Sequence, residues 1–286
     1  MSPFSRRRRS RDSRAVVTGA GSGIGRAFAI ELAARGGRVV CSDIDLASAQ
    51  STVDAITHAG TDAGTDAGGA AVAIACDVAD LDQVTALALQ AQTWFEAPPT
   101  LVINNAGVGA GGKVVGESSI DDWQWTLDIN LWGPIHGCHV FAPLLREQGY
   151  GGIINVASAA SFGAAPGMAA YNVSKAGVLS LSETLSAELA GTGVAVSVLC
   201  PTFVKTNIVQ SGRIDSRASS VATSLMKITG LSAASVARTC LDAHDRGSLY
   251  VVPNIDAKVG WEIKRHAPRT YTRAVGLLGR LAPLND

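Results

Sequence analysis

Short apolar, β-rich runs recur along the chain, each closed by a polar or glycine-bearing turn. They fall at Ala15–Val17, Arg38–Cys41, Ala71–Ala75, Leu101–Ile103, Gly152–Val156, Val194–Leu199 and Leu249–Val252. The segments between them place apolar residues at helical spacing, as in Arg26–Arg35, where Phe28, Ile30, Leu32 and Ala33 recur. Helices are also predicted over Leu81–Phe95, Trp123–Arg146 and Tyr171–Leu189. Strands that alternate with helices predict right-handed βαβ units, and strands that are apolar throughout predict burial on both faces. The fold class is therefore α/β: a doubly wound parallel sheet with helices on both sides.

Two stretches break the rhythm. His58–Gly69, rich in Gly, Asp and Thr, reads as a flexible surface loop. Residues 203–230 follow the end of a strand, where open α/β sheets bind ligands, and are expected to form a substrate lid. Its residues Ile208, Ile214 and Leu225 suggest an apolar pocket. The economical division is a basic arm over 1–13, expected to be disordered, one catalytic domain over 14–252, and a helical extension over 253–286.

Charge and composition narrow the function. Among 286 residues, 24 Lys and Arg balance 24 Asp and Glu, which argues against a nucleic-acid binder. An apolar share of 47% with only 17% charged residues fits a well-buried globular protein. The cysteines, Cys41, Cys76, Cys138, Cys200 and Cys240, are odd in number and form no C-x-x-C pair. They read as reduced thiols of a cytoplasmic protein. His136, Cys138 and His139 lie close together but lack a fourth ligand, so no metal site is expected. The opening MSPFSRRRRSRDSR resembles a twin-arginine signal, but the apolar segment such a signal needs does not follow. No apolar run reaches the roughly 18 residues of a membrane span.

The stretch VTGAGSGIGR, residues 17–26, lies between the first strand and the first helix. It fits neither G-x-G-x-x-G nor the Walker phosphate loop. What remains is Gly19-x-x-x-Gly23-x-Gly25. Glycines let a backbone approach a pyrophosphate, and a helix start offers free N–H groups and a favourable dipole. A tight turn without a ligand is the bland alternative. Asp43 shifts the balance: it ends the second strand, 18 positions beyond Gly25, where a carboxylate can accept hydrogen bonds from an adenosine ribose. Dinucleotide binding is the favoured reading.

Proton chemistry points to Tyr171 and Lys175, four apart on one helix face. A free tyrosine titrates near 10, and bringing it about three units lower takes roughly 4 kcal/mol of differential stabilisation. A lysine charge and a nicotinamide charge together are expected to supply it. Ser158 follows a strand end and offers a hydroxyl to a carbonyl or alcohol oxygen. A solvated helix face would explain the Tyr/Lys pair equally well if it stood alone.

Together these residues resemble the short-chain dehydrogenases/reductases, over about residues 14–252. Thr18-Gly19-x-x-x-Gly23-x-Gly25, with Ser22 and Ile24 inside it, is similar to the family's cofactor loop. Asp77-Val78 resembles its adenine-contacting pair, and Asn104-Asn105-Ala106-Gly107 its NNAG motif. Asn130 matches the helix asparagine that holds a proton-relay water, and Ser158, Tyr171 and Lys175 match the catalytic serine, tyrosine and lysine. Residues 201–206, with Pro201, Val204 and Thr206, resemble the PGxxxT segment at the nicotinamide end, although Thr202 replaces its glycine.

The resemblance implies a Rossmann-type fold with a seven-stranded parallel sheet, commonly a homotetramer or dimer. It also implies roles. Tyr171 acts as general acid/base, Ser158 orients the substrate oxygen, and Lys175 lowers the tyrosine pKa and binds the nicotinamide ribose. Asn104, Ala106 and Gly107 would line the cofactor. Asp43, and Ser22 where NADP-dependent relatives often carry a basic residue, favour NAD. The expected activity is NAD-dependent interconversion of a secondary, apolar alcohol and a carbonyl. An NADPH-dependent reductase and a non-catalytic dinucleotide-binding scaffold are the alternatives. The extension, with Tyr271, Val275 and Leu278 on one helix face and Arg269, Arg273 and Arg280 beside them, is expected to cover the substrate cleft or a subunit interface. A peripheral membrane contact is the alternative there.

Overall fold

The structure is a computed structural model that describes residues 8–62, 70–206, 212–215 and 230–281. In chain order its elements begin with β1 (Arg14–Thr18), α1 (Gly23–Ala34), β2 (Arg38–Asp43), α2 (Leu46–Asp62), β3 (Ala71–Ala75), α3 (Leu81–Phe95), β4 (Leu101–Asn104) and β5 (Ala110–Gly111). Next come α4 (Ile120–Leu127), a π-helical turn (Asp128–Trp132), α5 (Gly133–Gln148), β6 (Gly151–Val156), α6 (Ala160–Gly163), α7 (Ala169–Glu188) and β7 (Val194–Leu199). The last are β8 (Val204–Lys205), β9 (Arg213–Ile214), β10 (Leu231–Ser232), α8 (Ala233–Asp245), β11 (Tyr250–Val251), α9 (Ile255–His266) and α10 (Pro268–Leu281).

Seven strands form one sheet in the order β11-β7-β6-β4-β1-β2-β3, and every pairing is parallel. Alternation along β1 explains the two layers. Ala15 and Val17 face Phe28 and Leu32 of α1 with Val236 and Leu241 of α8. Val16 faces the other side, with Leu87 of α3, Phe141 and Leu145 of α5, and Leu185 of α7. A smaller cluster joins Phe162, Val178, Cys200, Val252 and Ala257 where the carboxyl-terminal extension packs on the body.

Three expectations need correction. The stretch His58–Gly69 is not a loop throughout, because α2 runs to Asp62; residues 63–69 lie outside the described residues. Trp123–Arg146 is not one uninterrupted α-helix. The Gly133 N–H reaches back five residues to the Asp128 carbonyl, opening a π turn between α4 and α5. Nor is the arm disordered over residues 8–13. Ser10 is buried, with its N–H and hydroxyl both donating to the Asp245 carboxylate, and Arg35 joins Ser10 to Asp242 and Asp245. Arg9 donates to the carbonyls of Gly151 and Gly193. Of the expected lid, only residues 203–206, 212–215 and 230 are described.

His244 on α8 is fully buried against Gly152 of β6, where a Cβ would lie 2.1 Å from His244 Nε2. The Ser197 hydroxyl donates to the Ser248 carbonyl, so the 2.8 Å contact between Ser197 Oγ and His244 Nδ1 needs the proton on Nδ1. Nε2 is then a buried lone pair without a partner. Burial, reinforced by the nearby Arg9 charge, lowers the His244 pKa to about 4. An unfolded chain takes up this proton near 6.5 and the folded chain only near 4, so the contribution is complete above pH 6.5 and lost as pH falls through 4. The stability difference between wild type and His244→Asn is expected to shrink by roughly 3 kcal/mol across that window. Urea unfolding of both proteins from neutral to acid pH checks it, and a pH-independent difference would contradict it.

Candidate active site

The carboxyl ends of β1, β4 and β6 lie side by side, because Val17 pairs with Ile103 and Asn104 with Asn155. The glycine loop is stapled there by Asn105. Its side-chain amide donates to the carbonyls of Thr18 (2.9 Å) and Gly19 (3.1 Å). In return the Thr18 hydroxyl accepts the N–H groups of Asn105 and Ala106. Gly19 has a φ of +64°, and a Cβ on it would meet the Ala106 Cα at 2.8 Å. A Cβ on Gly25 would lie 2.1 Å from the Gly19 carbonyl oxygen, so helix and loop touch backbone to backbone.

α1 opens at Gly23 with Ser22 in extended conformation as its N-cap. Ser22 does not turn its hydroxyl onto the helix, and the first turn carries no acidic residue. The N–H groups of Gly23, Ile24 and Gly25, with the positive end of the helix dipole, are thus available to an anion. The Ile24 side chain is partly buried against the core. This donor set suits a pyrophosphate. Asp43 stands beside it, its carboxylate accepting the N–H of Gly21 (2.9 Å) and of Asp45 (3.1 Å). Across the loop, Thr206 comes within 3.1 Å of a Cβ built on Gly23.

Other sequence candidates divide between interior and cleft. The Asn104 amide points inward and donates to Asn155 Oδ1 at 2.8 Å, and Asn155 donates to Ser182 Oγ at 3.0 Å. Asn104 can therefore offer the cleft only its backbone. Val204 is likewise buried in the core. Asp77 turns back to accept the Ala79 N–H, while the Val78 carbonyl accepts from His136 Nδ1 at 2.9 Å. His136 and Cys138 thus serve different neighbours, since the Cys138 thiol lies with Asn104 and Asn155. Pro201 accepts from the Ala159 N–H, and Thr202 is held by Asn254 through its own N–H. Asn155 and Asn254 position the site without having been singled out in the sequence, and Asn105, noted there only as part of a motif, is the residue that staples the loop.

Lys175 is buried and donates to the Val156 carbonyl at 3.1 Å, with Nζ 5.8 Å from the Tyr171 ring centre. Ser158 faces the Tyr171 side chain, accepts the Ala160 N–H at 3.1 Å and lies 3.4 Å from the Pro201 carbonyl. Asn130, in the π turn, binds both backbone groups of Val108 at 2.8 Å. All of this converges on Gly107, where a Cβ would lie 2.9 Å from Asn130 Oδ1 and 3.3 Å from Lys175 Nζ. Only a bare backbone fits.

Burial raises the Tyr171 pKa, and the bond to Ser158 opposes that rise; burial also pulls Lys175 down to about 8. In the protein by itself, desolvation of the phenolate outweighs any help from the lysine. A cavity of about 270 Å³ opens beside the first turn of α7. Ile214 lines it as expected, with Met168, Ala169 and Ala170, and Lys113, Asp122, Arg213 and Asp215 add charge, so the described wall is mixed. Arg213 there pairs with Asp122 at 2.9 Å and stacks on Trp125. Ile208 and Leu225 lie outside the described residues.

Comparison with known proteins agrees with this arrangement. A family model described as short chain dehydrogenase matches residues 13–217. A Mycobacterium tuberculosis protein named "Probable oxidoreductase EphD" is 37% identical over 199 residues, which cover 69% of this chain and 32% of that one. The chain thus spans about a third of that relative's length. A 3-oxoacyl-[acyl-carrier-protein] reductase of Synechocystis is 36% identical over 197 residues, covering 69% and 76% of the two chains. The crystal structure of a Burkholderia phymatum short chain dehydrogenase/reductase in complex with NAD has a TM-score of 0.81 and 34% identity, over 90% of this chain and 94% of that one.

Gly107→Ala tests the convergence on Gly107. The added methyl must displace Asn130 or Lys175, so turnover is expected to fall about 10- to 100-fold while the fold persists. Steady-state kinetics beside thermal melting would show it, and unchanged turnover would mean the contacts are not needed.

Proposed function

The chain belongs to the short-chain dehydrogenase/reductase family, and from that premise we propose that it interconverts a secondary alcohol and a carbonyl compound with NAD. Members of the family bind a nicotinamide dinucleotide, act on small molecules and usually oligomerise. The observation that carries the proposal is the placement of Ser158, Tyr171 and Lys175 beside the uncapped, glycine-lined start of α1.

The nicotinamide supplies the hydride acceptor or donor when bound. The chain supplies placement and protons. Ser158 Oγ, close to the Tyr171 hydroxyl, donates to the substrate oxygen and fixes its position. Tyr171 takes the proton from that oxygen in oxidation and returns it in reduction. Lys175, whose ammonium is labile near pH 8, holds positive charge beside the phenol and binds ribose hydroxyls. Asn130 closes the far side of Gly107 and keeps Val108 in place.

Asp43 supports NAD over NADP. A 2′-phosphate would set its charge against that carboxylate, and unit charges at ~4 Å repel by about 4 kcal/mol at an effective dielectric near 20. The nearby arginines are engaged elsewhere. Arg38 donates to the carbonyls of Trp94 and Phe95 and stacks on both rings, and Arg26 reaches Ser51. The Burkholderia neighbour was solved with NAD, which agrees. The NADPH-dependent alternative would need a cation beside Asp43, and a non-catalytic scaffold would have no use for the complete Ser158, Tyr171 and Lys175 set. A homodimer or homotetramer in the cytoplasm, with its five cysteines reduced and buried, is the assembly and location we favour.

Two predictions test this reading. Tyr171→Phe is expected to lower turnover by about 10² or more with dinucleotide affinity nearly unchanged, whereas Lys175→Met should damage both. Wild-type turnover in Tyr171→Phe would overturn the mechanism. For cofactor choice, the wild type is expected to prefer NAD by about a hundredfold in kcat/KM, and Asp43→Ala to erode that preference. A wild-type preference for NADP would contradict the role of Asp43.

A further inference from the structure

α10 carries three distinct faces at about 100° per residue. Tyr271, Val275 and Gly279 turn toward the body. The Tyr271 hydroxyl donates to the Gly163 carbonyl at 3.1 Å, and a Cβ on Gly279 would lie 3.0 Å from the Pro166 ring. Arg269 and Arg273, one turn apart and exposed, form a second face. Ala274, Leu277 and Leu278 form the third, and the two leucines are 60% and 65% exposed.

α9 repeats the division. Trp261 stacks on Phe162 with ring centres 5.4 Å apart, while Ile255, Val259 and Ile263 form an outward strip, 78%, 53% and 48% exposed. Across α9 and α10, from Ile255 to Leu281, the chain places Lys258, Lys264, Arg265, Arg269, Arg273 and Arg280 against Asp256 and Glu262, in a protein of zero formal net charge. The extension is thus the basic pole of a neutral molecule, and it is also apolar where it faces outward.

We propose that α9 and α10 form a docking surface for an anionic lipid membrane, lying in its interface. The leucine and isoleucine side chains enter the acyl boundary and the arginines meet the phosphates, the combination that holds basic amphipathic helices to such surfaces. No helix among the described residues is long and apolar enough to cross a membrane, so the contact is peripheral. A second copy of this face would serve poorly as the occupant, because a two-fold contact gathers the basic residues of both copies into one interface. The helices sit on Phe162, Gly163 and Pro166, between Ser158 and Tyr171 in the chain, so docking brings that segment to the lipid surface.

Co-sedimentation of the full chain with vesicles of phosphatidylcholine, alone or mixed with phosphatidylglycerol, tests the proposal independently of any catalytic reading. Binding is expected to the mixed vesicles only and to weaken with added salt. The double variant Arg269→Gln/Arg273→Gln should lower partitioning about 10- to 30-fold. Leu277→Ser/Leu278→Ser should abolish it without changing the mass seen by sedimentation velocity. Absence of binding to mixed vesicles, or equal binding to both kinds, overturns the proposal. So does a change of oligomeric mass in the leucine variant, which would make this face a contact between copies. If the leucine variant does not fold, the arginine variant decides alone.

Discussion

An ammonium group held out of water is the constraint around which the site is built. Lys175 is 3% exposed, and its Nζ hydrogen-bonds the Val156 carbonyl at the end of β6. Lowering its pKa from 10.5 to about 8 corresponds to roughly 3 kcal/mol of lost preference for the charged form. The position of that carbonyl depends on the register of β6 with β4, which Asn104 and Asn155 lock by a side-chain bond across the strand ends. The Asn155 bond to Ser182 extends the lock to α7, the helix that carries both Tyr171 and Lys175. Gly107 then brings a bare backbone against Lys175 and Asn130, and the π turn sets Asn130 at the depth where it can hold Val108.

The opposite end of the sheet uses burial differently. His244 also loses its charge to desolvation, but it is fixed by Ser197 and pressed against Gly152. There the shifted group only ties stability to pH. Beside Tyr171 and Ser158, the same physical effect produces a lysine poised to exchange protons near neutral pH. Burial alone does not distinguish the two; the neighbours do.

Much of this was legible in the sequence. The strands were found because buried parallel strands are apolar throughout, and the glycine loop because Gly19 and Gly25 answer close backbone approaches and Gly23 a close contact with the Thr206 side chain. α2 and α8 were missed although Val53 and Ile56 of the one, and Val236 and Leu241 of the other, fall at helical spacing on their buried faces. The π turn depends on a hydrogen bond one residue longer than usual, which no spacing of side chains announces. Asn104 and Asn105 are adjacent, yet one points into the core and the other staples the loop, a difference set by strand alternation at the sheet end. The ordering of Ser10 could not be foreseen either, because its partner Asp245 lies 235 residues away. The surroundings of Tyr171 were legible only in part, because a motif gives the neighbours of a phenol but not its exposure to water.

The central claim is that Lys175 is buried and titrates near neutrality. Nitrogen NMR of lysine side chains in the full protein, across a pH series, measures this directly, with Lys175→Met assigning the signal among the six lysines. The account predicts one ammonium resonance with a midpoint near 8, absent from the variant. A Lys175 midpoint near 10.4, the value of a solvated lysine, would contradict it.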